Sequence, residues 1–257
     1  MPSPVSLKRI RADQLLVERG LATSRTQAQG LILAGEVRSG PDNVVSKPSQ
    51  TLAMDAPLSV TKPAPYVSRG GEKLAAFLEQ FAVEVTNTHA LDIGASTGGF
   101  TDCLLQRGAA AVTCVDVGRG QLHAKLRADA RVNNFEKINA RHLTAVKLPR
   151  ADYDVVVIDV SFISLTKILP AAWARVRSGG ILIALIKPQF EATKAEASKG
   201  KGIIRDDAIH QRVLDSIKNF ARSELRGAEL AGEMASPLLG GDGNREFLLG
   251  IRNKEEN

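Results

Sequence analysis

From residue 66 onward, short apolar runs alternate with longer stretches whose apolar residues recur at helical spacing, and this alternation constrains the fold more than any other feature of the chain. The spacing predicts helices over 71–81, 99–107, 121–127, 165–176 and 208–223. Between them it predicts strands over 90–93, 111–115, 154–158, 181–186 and 247–251. The strand runs are apolar almost throughout, as in Val155-Val-Val-Ile158 and Ile181-Leu-Ile-Ala-Leu-Ile186, so both faces of their sheet must be covered. Alternating β and α units with such strands make an α/β fold around a mostly parallel sheet. A chain of 257 residues accommodates that domain and a smaller one in front of it. The longest apolar run, 181–186, falls far short of the ~20 residues of a membrane span.

The smaller domain is expected over 1–62, with a linker at 63–67, the main domain at 68–252 and a charged tail at 253–257. Leu15, Leu16, Val17, Leu21 and Ala22 make a first apolar face. Thr23 and Ser24 are candidate helix caps, Ala28, Leu31, Ile32 and Ala34 form the stripe of the next helix, and Gly35 stops it. Val44, Leu52, Met54, Leu58 and Val60 lie among turn formers and read as short strands, which makes this domain α+β. Lys62-Pro63-Ala64-Pro65 is stiff because proline fixes φ. Up to Lys62 there are eight basic and five acidic residues, a net of +3 and half of the chain's +6. That excess suits a polyanionic partner or a solvated face equally. Arg9, Arg11 and Arg25, near helix starts, are candidate phosphate contacts. The order of elements narrows the choice. Arg11-Ala-Asp-Gln-Leu-Leu16, Ser24-Arg-Thr-Gln-Ala28 and Leu31-Ile-Leu-Ala-Gly-Glu-Val37 together resemble the α-L RNA-binding motif of a small-subunit ribosomal protein, several pseudouridine synthases and tyrosyl-tRNA synthetases, which implies RNA binding.

In the main domain, ligands are expected beyond the carboxyl ends of the strands. The first strand runs into Leu91-Asp92-Ile93-Gly94-Ala95-Ser96-Thr97-Gly98-Gly99-Phe100-Thr101, whose glycines allow close backbone approach and open the next helix. This is not a dinucleotide fingerprint: Ser96 stands where a second glycine makes room for pyrophosphate, and the Lys-Ser/Thr of a P-loop is missing. Asp92 and Asp116 put carboxylates at two strand ends; Asp116 reads either as a ligand contact or as a turn former. Asp159 ends the run 155–158, and Lys187 ends the run 181–186. A lysine in that position needs a partner, because burying an unpaired ammonium is costly. Glu246 directly precedes the last strand and Lys73 lies at the start of the first helix, so two lysines and two carboxylates are expected to converge at the strand ends.

These residues resemble the Lys-Asp-Lys-Glu tetrad of FtsJ-type RNA ribose methyltransferases, matched here by Lys73, Asp159, Lys187 and Glu246. More specifically, the whole chain resembles the TlyA family, the hemolysin A proteins. The motifs are Tyr66-Val-Ser-Arg-Gly-Gly-Glu-Lys73-Leu, Asp92-Ile-Gly-Ala-Ser-Thr-Gly-Gly-Phe-Thr101, Asp159-Val-Ser-Phe-Ile163, Lys187-Pro-Gln-Phe-Glu191 and Lys201-Gly-Ile-Ile-Arg-Asp206. The resemblance implies a Rossmann-like fold, S-adenosylmethionine as cofactor, 2′-O-methylation of cytidine, and ribosomal RNA or ribosomal subunits as partners. It implies cofactor contacts from Asp92, Gly94, Ser96, Gly98, Gly99 and Phe100, with Asp116 on the ribose hydroxyls. The FtsJ pattern has an aspartate near the adenine; Asn139-Ala-Arg-His142 stands there in this chain, so Asn139 is the candidate.

A ribose hydroxyl is a weak nucleophile and a methyl sulfonium an activated electrophile, so the enzyme must align them and remove a proton. Lys187 is the candidate base, since a lysine buried beside another cation, here Lys73, loses its proton more readily. Asp159 is expected to orient Lys187, and Lys73 and Glu246 to position the hydroxyl. No metal is expected, because His89, His123, His142 and His210 lack ligand spacing. Attack at cytosine C5 asks for a cysteine after proline, whereas Cys103 follows Asp102 and Cys114 follows Thr113. Exocyclic-amine enzymes carry Asp/Asn-Pro-Pro-aromatic where this chain has Asp159-Val160-Ser161-Phe162. Phe162 reads either as a ring stacked on the target base or as a core side chain. Lys194, Lys199 and Lys201 form a basic loop, either solvated or an RNA-contacting lid. The two cysteines read as reduced core thiols and the N-terminus shows no signal peptide, so a cytoplasmic protein is expected. Two rival classes are a non-catalytic RNA-binding or ribosome-assembly protein on the same fold, and a membrane-active hemolysin. The complete tetrad argues against the first, and the lack of a span against the second.

Overall fold

A computed structural model describes residues 9–33, 35–40, 43–61, 65–240 and 243–254. The chain forms two compact units, Met1–Ala64 and Pro65–Asn257. Lys8, Ala34, three residues of the expected linker region (Lys62, Pro63 and Ala64) and residues 255–257 of the tail lie outside the described residues.

The first unit contains β1 (Arg9–Arg11), α1 (Ala12–Glu18), α2 (Arg25–Leu33), β2 (Val37–Ser39), β3 (Thr51–Ala53) and β4 (Leu58–Val60). β1 pairs antiparallel with β3, and β2 with β4. Leu15, Leu16, Ala28, Ile32 and Val37 fill its core. Of the two candidate caps, Ser24 is the one before the helix: its Oγ accepts from Gln27 N at 3.2 Å, while Gln27 Oε1 reaches back to Thr23 N at 2.6 Å. These bonds satisfy amide groups that a helix start leaves open.

The second unit runs α3 (Gly70–Gln80), β5 (His89–Ile93), α4 (Gly99–Gln106), β6 (Ala111–Val115), α5 (Ala124–Arg127), β7 (Val132–Phe135), β8 (Tyr153–Ile158), α6 (Leu169–Trp173), β9 (Val176–Ile186), α7 (Pro188–Glu191), α8 (Lys194–Lys199), α9 (Asp207–Glu224), β10 (Ala228–Ala235) and β11 (Phe247–Asn253). Seven strands form one sheet in the order β10-β11-β9-β8-β5-β6-β7. β5 to β9 are parallel, and β11 and β10 add an antiparallel edge. Buried side chains cover both faces, with Trp173, Leu214 and Ile217 on one side and Phe77, Phe100 and Leu104 on the other.

Several elements differ from the sequence reading. β7 and β10 were not expected. Both are edge strands that carry Asn133 and Asn134, or Glu229 and Glu233, where an interior strand would be apolar. The helix expected over 165–176 is a 3₁₀ turn, Leu165–Lys167, then the short α6, because Pro170 fits only a first helical turn; Val176 already belongs to β9. α5 begins at Ala124, where His123 caps it by accepting from Lys125 N, and not at 121. The basic loop at 194–201 contains α8, held by a capping box between Thr193 and Glu196. The strand expected to end at 251 runs to Asn253, which is buried and donates from Nδ2 to Val176 O at 3.0 Å, so 253 is not part of a tail.

The chain winds outward from β5 through β6 to β7, then returns to β8 on the other side of β5. That reversal opens a crevice at the carboxyl ends of β5 and β8, the place where such sheets bind ligands.

Candidate active site

The crevice is shaped first by backbone. Gly94 follows β5 with φ +83°, and a Cβ placed on it would lie 2.3 Å from Asp159 O, the first residue after β8. Gly98, with φ +95°, caps α4, and Gly99 is that helix's first residue. Two adjoining cavities result. One, of about 210 Å³, is lined by Ser68, Lys73, Asp92, Gly99, Phe100 and others; the second, of about 500 Å³, is lined by Asp116, Ile138, Asn139, Val160, Phe162 and others. Gly94, Ser96 and Asp159 line both. The larger falls within the ~300–1,000 Å³ usual for small-molecule sites.

Asp92 is fully buried in β5. Its Oδ2 accepts from Thr101 N at 3.0 Å and Thr101 Oγ1 at 2.6 Å, whereas its Oδ1 has no hydrogen-bond partner. Burial pushes this carboxyl up to about 7, against the pull of the Thr101 bonds. The neighbouring Cys114 thiol, 3.0 Å from Thr101 Oγ1, is raised to about 12, mainly by burial. An orphaned buried oxygen on the wall of a cavity fits a site built for a cationic ligand. Asp116 closes β6; its two oxygens accept from Ser96 N at 2.8 Å and Gly118 N at 2.6 Å. It is therefore a turn former and also a wall of the larger cavity. Asn139 lines that cavity too, with its Oδ1 accepting from Arg141 N at 3.1 Å. Phe100 packs in the core while bordering the smaller cavity. These residues fit S-adenosylmethionine: glycines in place of side chains where backbone must approach, and carboxylates facing a ligand that carries a sulfonium. Asp116→Ala is expected to weaken cofactor affinity by about 10- to 100-fold, the worth of one charge-assisted hydrogen bond, with a modest fall in melting temperature because its bonds from Ser96 N and Gly118 N are lost as well. Calorimetric titration checks it, and an unchanged affinity removes Asp116 from the site.

The tetrad residues meet in pairs. Lys73, in α3, and Glu246, before β11, form a buried ion pair. Lys187, following β9, lies 2.6 Å from Asp159 Oδ1, an ionic contact whose angles are not those of a directed hydrogen bond, and donates to Ser161 Oγ at 3.0 Å. Phe247 faces Ile186 across β11 and β9, so Glu246 and Lys187 leave the sheet side by side. Lys73 and Asp159 line the same cavity, which joins the two pairs. Each lysine thus has its own carboxylate, as an ammonium group withdrawn from water requires.

Phe162 is 90% exposed and adopts φ +64°, so it is not a core side chain; its ring leans on Phe190 at 5.0 Å. Lys199 and Lys201 are exposed. In the first unit, Arg9 donates to Thr51 O at 2.7 Å, while Arg11 and Arg25 both bind the buried Asp13 at 3.0 Å. The Arg11 guanidinium, ahead of Gln29 and Arg25, holds the Asp13 carboxyl well below the usual range against its burial. The guanidiniums remain 40% and 53% exposed as side chains. Sequence reasoning gave no role to Asp13, Ser161 or Glu191. Among the described residues no helix is long and apolar enough to cross a membrane, and no cluster of three or more His, Cys, Asp or Glu side chains could hold a metal ion.

Comparison with known proteins matches residues 66–253 to the FtsJ-like methyltransferase family. The 16S/23S rRNA (cytidine-2′-O)-methyltransferase TlyA of Mycobacterium tuberculosis is 42% identical over 251 residues, 97% of this chain and 92% of the relative. Hemolysin A of Brachyspira hyodysenteriae is 42% identical over 241 residues, 93% of this chain and 98% of the relative. A solved structure of a hemolysin-named protein from Streptococcus thermophilus is 40% identical, covers 98% of this chain and 90% of its own, and has a TM-score of 0.72. The chain is thus a methyltransferase that uses S-adenosylmethionine, and it belongs to the FtsJ-like family, in the group named TlyA or hemolysin A.

Proposed function

We propose that this enzyme methylates the 2′-hydroxyl of cytidine in ribosomal RNA, bound as ribosomal subunits in the cytoplasm. The observation that carries the reading is the meeting of Lys187–Asp159 and Lys73–Glu246 beside the cavity of Asp92 and Gly94. No cysteine nucleophile stands there, since Cys103 and Cys114 are buried with raised thiols. When bound, S-adenosylmethionine supplies an activated methyl group. Lys187, as the neutral amine, takes the ribose proton: Ser161 Oγ accepts one of its N–H groups, Asp159 lies in ionic contact, and the lone pair accepts the hydroxyl hydrogen. Asp159 fixes that amine in place. Lys73 and Glu246 hold the hydroxyl for in-line approach. Phe162, bare and set in a left-handed backbone, offers its ring to the base.

The test is transfer of labelled methyl groups to purified subunits and to the RNA stripped from them. Label in alkali-resistant dinucleotides supports the reading, because a methylated 2′-oxygen can no longer cleave its own strand; alkali-labile label overturns it. The first unit is assigned RNA affinity and no chemistry. A chain reduced to 65–257 is expected to bind S-adenosylmethionine normally and RNA weakly. Its affinity for RNA should lose about 0.7–0.9 of salt slope for each phosphate contact removed. Filter binding across a salt series measures this, and an unchanged slope contradicts it.

A further inference from the structure

We infer that Glu191 is a positioning residue for methyl transfer, which acts by clamping the segment 160–165 so that Phe162 is held at its apex. The inference rests on the reading of Phe162 as the ring that meets the target base.

The segment after β8 and the short α7 after β9 are joined at three successive points. At the first, Lys187 contacts Asp159 and Ser161. At the second, Phe190 packs its ring against Phe162, 5.0 Å between centroids and 48° between planes. At the third, Glu191 Oε2 accepts from Ser164 Oγ at 2.6 Å and Oε1 accepts from Leu165 N at 2.7 Å. Ser164 in turn caps the 3₁₀ turn by accepting from Thr166 N at 3.2 Å.

Phe162 needs such support. A bulky residue at φ +64° is strained, and strained backbone persists only where its surroundings over-determine it. Being 90% exposed, Phe162 is not held by a core. The anchors on its two sides are Ser161, tied to Lys187, and Ser164 with Leu165, tied to Glu191. α7 is a single turn of four residues and cannot stand without tertiary contacts. Glu191 is also spent at some cost: burial raises its carboxyl, and the two bonds from the segment offset that only in part. Its place at the end of Lys187-Pro-Gln-Phe-Glu191 puts the clamp four residues from the lysine that contacts the same segment.

The test uses full-length Glu191→Gln, Glu191→Ala, Phe162→Ala and Phe162→Ala/Glu191→Ala, with two readouts. Hydrogen exchange of the peptide containing Leu165 needs no substrate. It should quicken in Glu191→Ala and stay near normal in Glu191→Gln, because the glutamine carbonyl can accept from Leu165 N while its amide donates to Ser164 Oγ. Single-turnover methyl transfer to ribosomal RNA should fall about 10- to 100-fold in Glu191→Ala, the cost of an ångström-scale misplacement, and recover in Glu191→Gln. In the Phe162→Ala protein, adding Glu191→Ala should cost little more, since both act through one ring. Unchanged exchange in Glu191→Ala, a glutamine variant as impaired as alanine, equal losses with and without the Phe162 ring, or a Phe162→Ala enzyme of normal turnover each overturns the inference. A wild-type protein that methylates no ribosomal RNA contradicts the proposed substrate, and the exchange comparison then still decides the clamp.

Discussion

Lys187→Ala is expected to reduce methyl transfer by about 10²–10⁴-fold, the range of a lost general base, with cofactor and RNA binding retained. Lys187→Arg is expected to fail as badly. A guanidinium keeps the charge and can still face Asp159, but it stays protonated and cannot take the hydroxyl proton. The arginine variant therefore separates two roles that alanine confounds. If Lys187 only positions the substrate or steadies charge, arginine retains much of the activity. Single-turnover rates with saturating cofactor make the comparison, and near-normal turnover in Lys187→Arg removes the base assignment while leaving the methyltransferase intact.

Gly94→Ala is expected to cripple cofactor binding with no change to a single polar group. Its added Cβ would lie 2.3 Å from Asp159 O, 2.9 Å from Asp159 C and 3.0 Å from Val160 Cγ1. The first two contacts are backbone and cannot rotate away. The φ of +83° adds about 1–2 kcal/mol for any residue with a side chain. Relief requires β5 and β8 to part at their carboxyl ends, which moves Asp159 from Lys187 and opens the crevice both cavities share. Affinity for S-adenosylmethionine should drop at least about 10-fold and the melting temperature should fall with it. Calorimetry and thermal unfolding test this; an alanine variant that binds the cofactor normally shows that the close approach is not needed.

The strand ends were legible because burial leaves so few polar residues there. Asp92, Asp159 and Lys187 each interrupt or end an apolar run, and each lines the crevice or pairs beside it. Their positions beside a strand and a helix start put Lys73 and Glu246 at the same edge, but which lysine takes which carboxylate is not written in a sequence where 173 residues separate the pair. The edge strands β7 and β10 escaped because an edge tolerates polar residues and so loses the apolar signature. α8 escaped for another reason: lysines and glycines around 194–202 suggested a loop, although Thr193 and Glu196 stand at the spacing of a capping box. Asp13 and Glu191 carry no role in the sequence reading; their roles depend on partners as far as Gln29 in one case and Leu165 in the other. The sequence leaves Phe162 between two readings because exposure is not written in local sequence, and the left-handed backbone that presents it is set by contacts at both ends of its segment.

We propose that the paired lysines and carboxylates at the strand ends direct a methyl group to a ribose oxygen of RNA. Nucleoside mass spectrometry of ribosomal RNA, incubated with S-adenosylmethionine and either the wild-type enzyme or Lys187→Ala, tests it most directly. 2′-O-methylcytidine is expected with the wild-type enzyme, and its near absence with the variant. Methyl groups on a base, or an equal yield of the ribose methylation from both proteins, would contradict it.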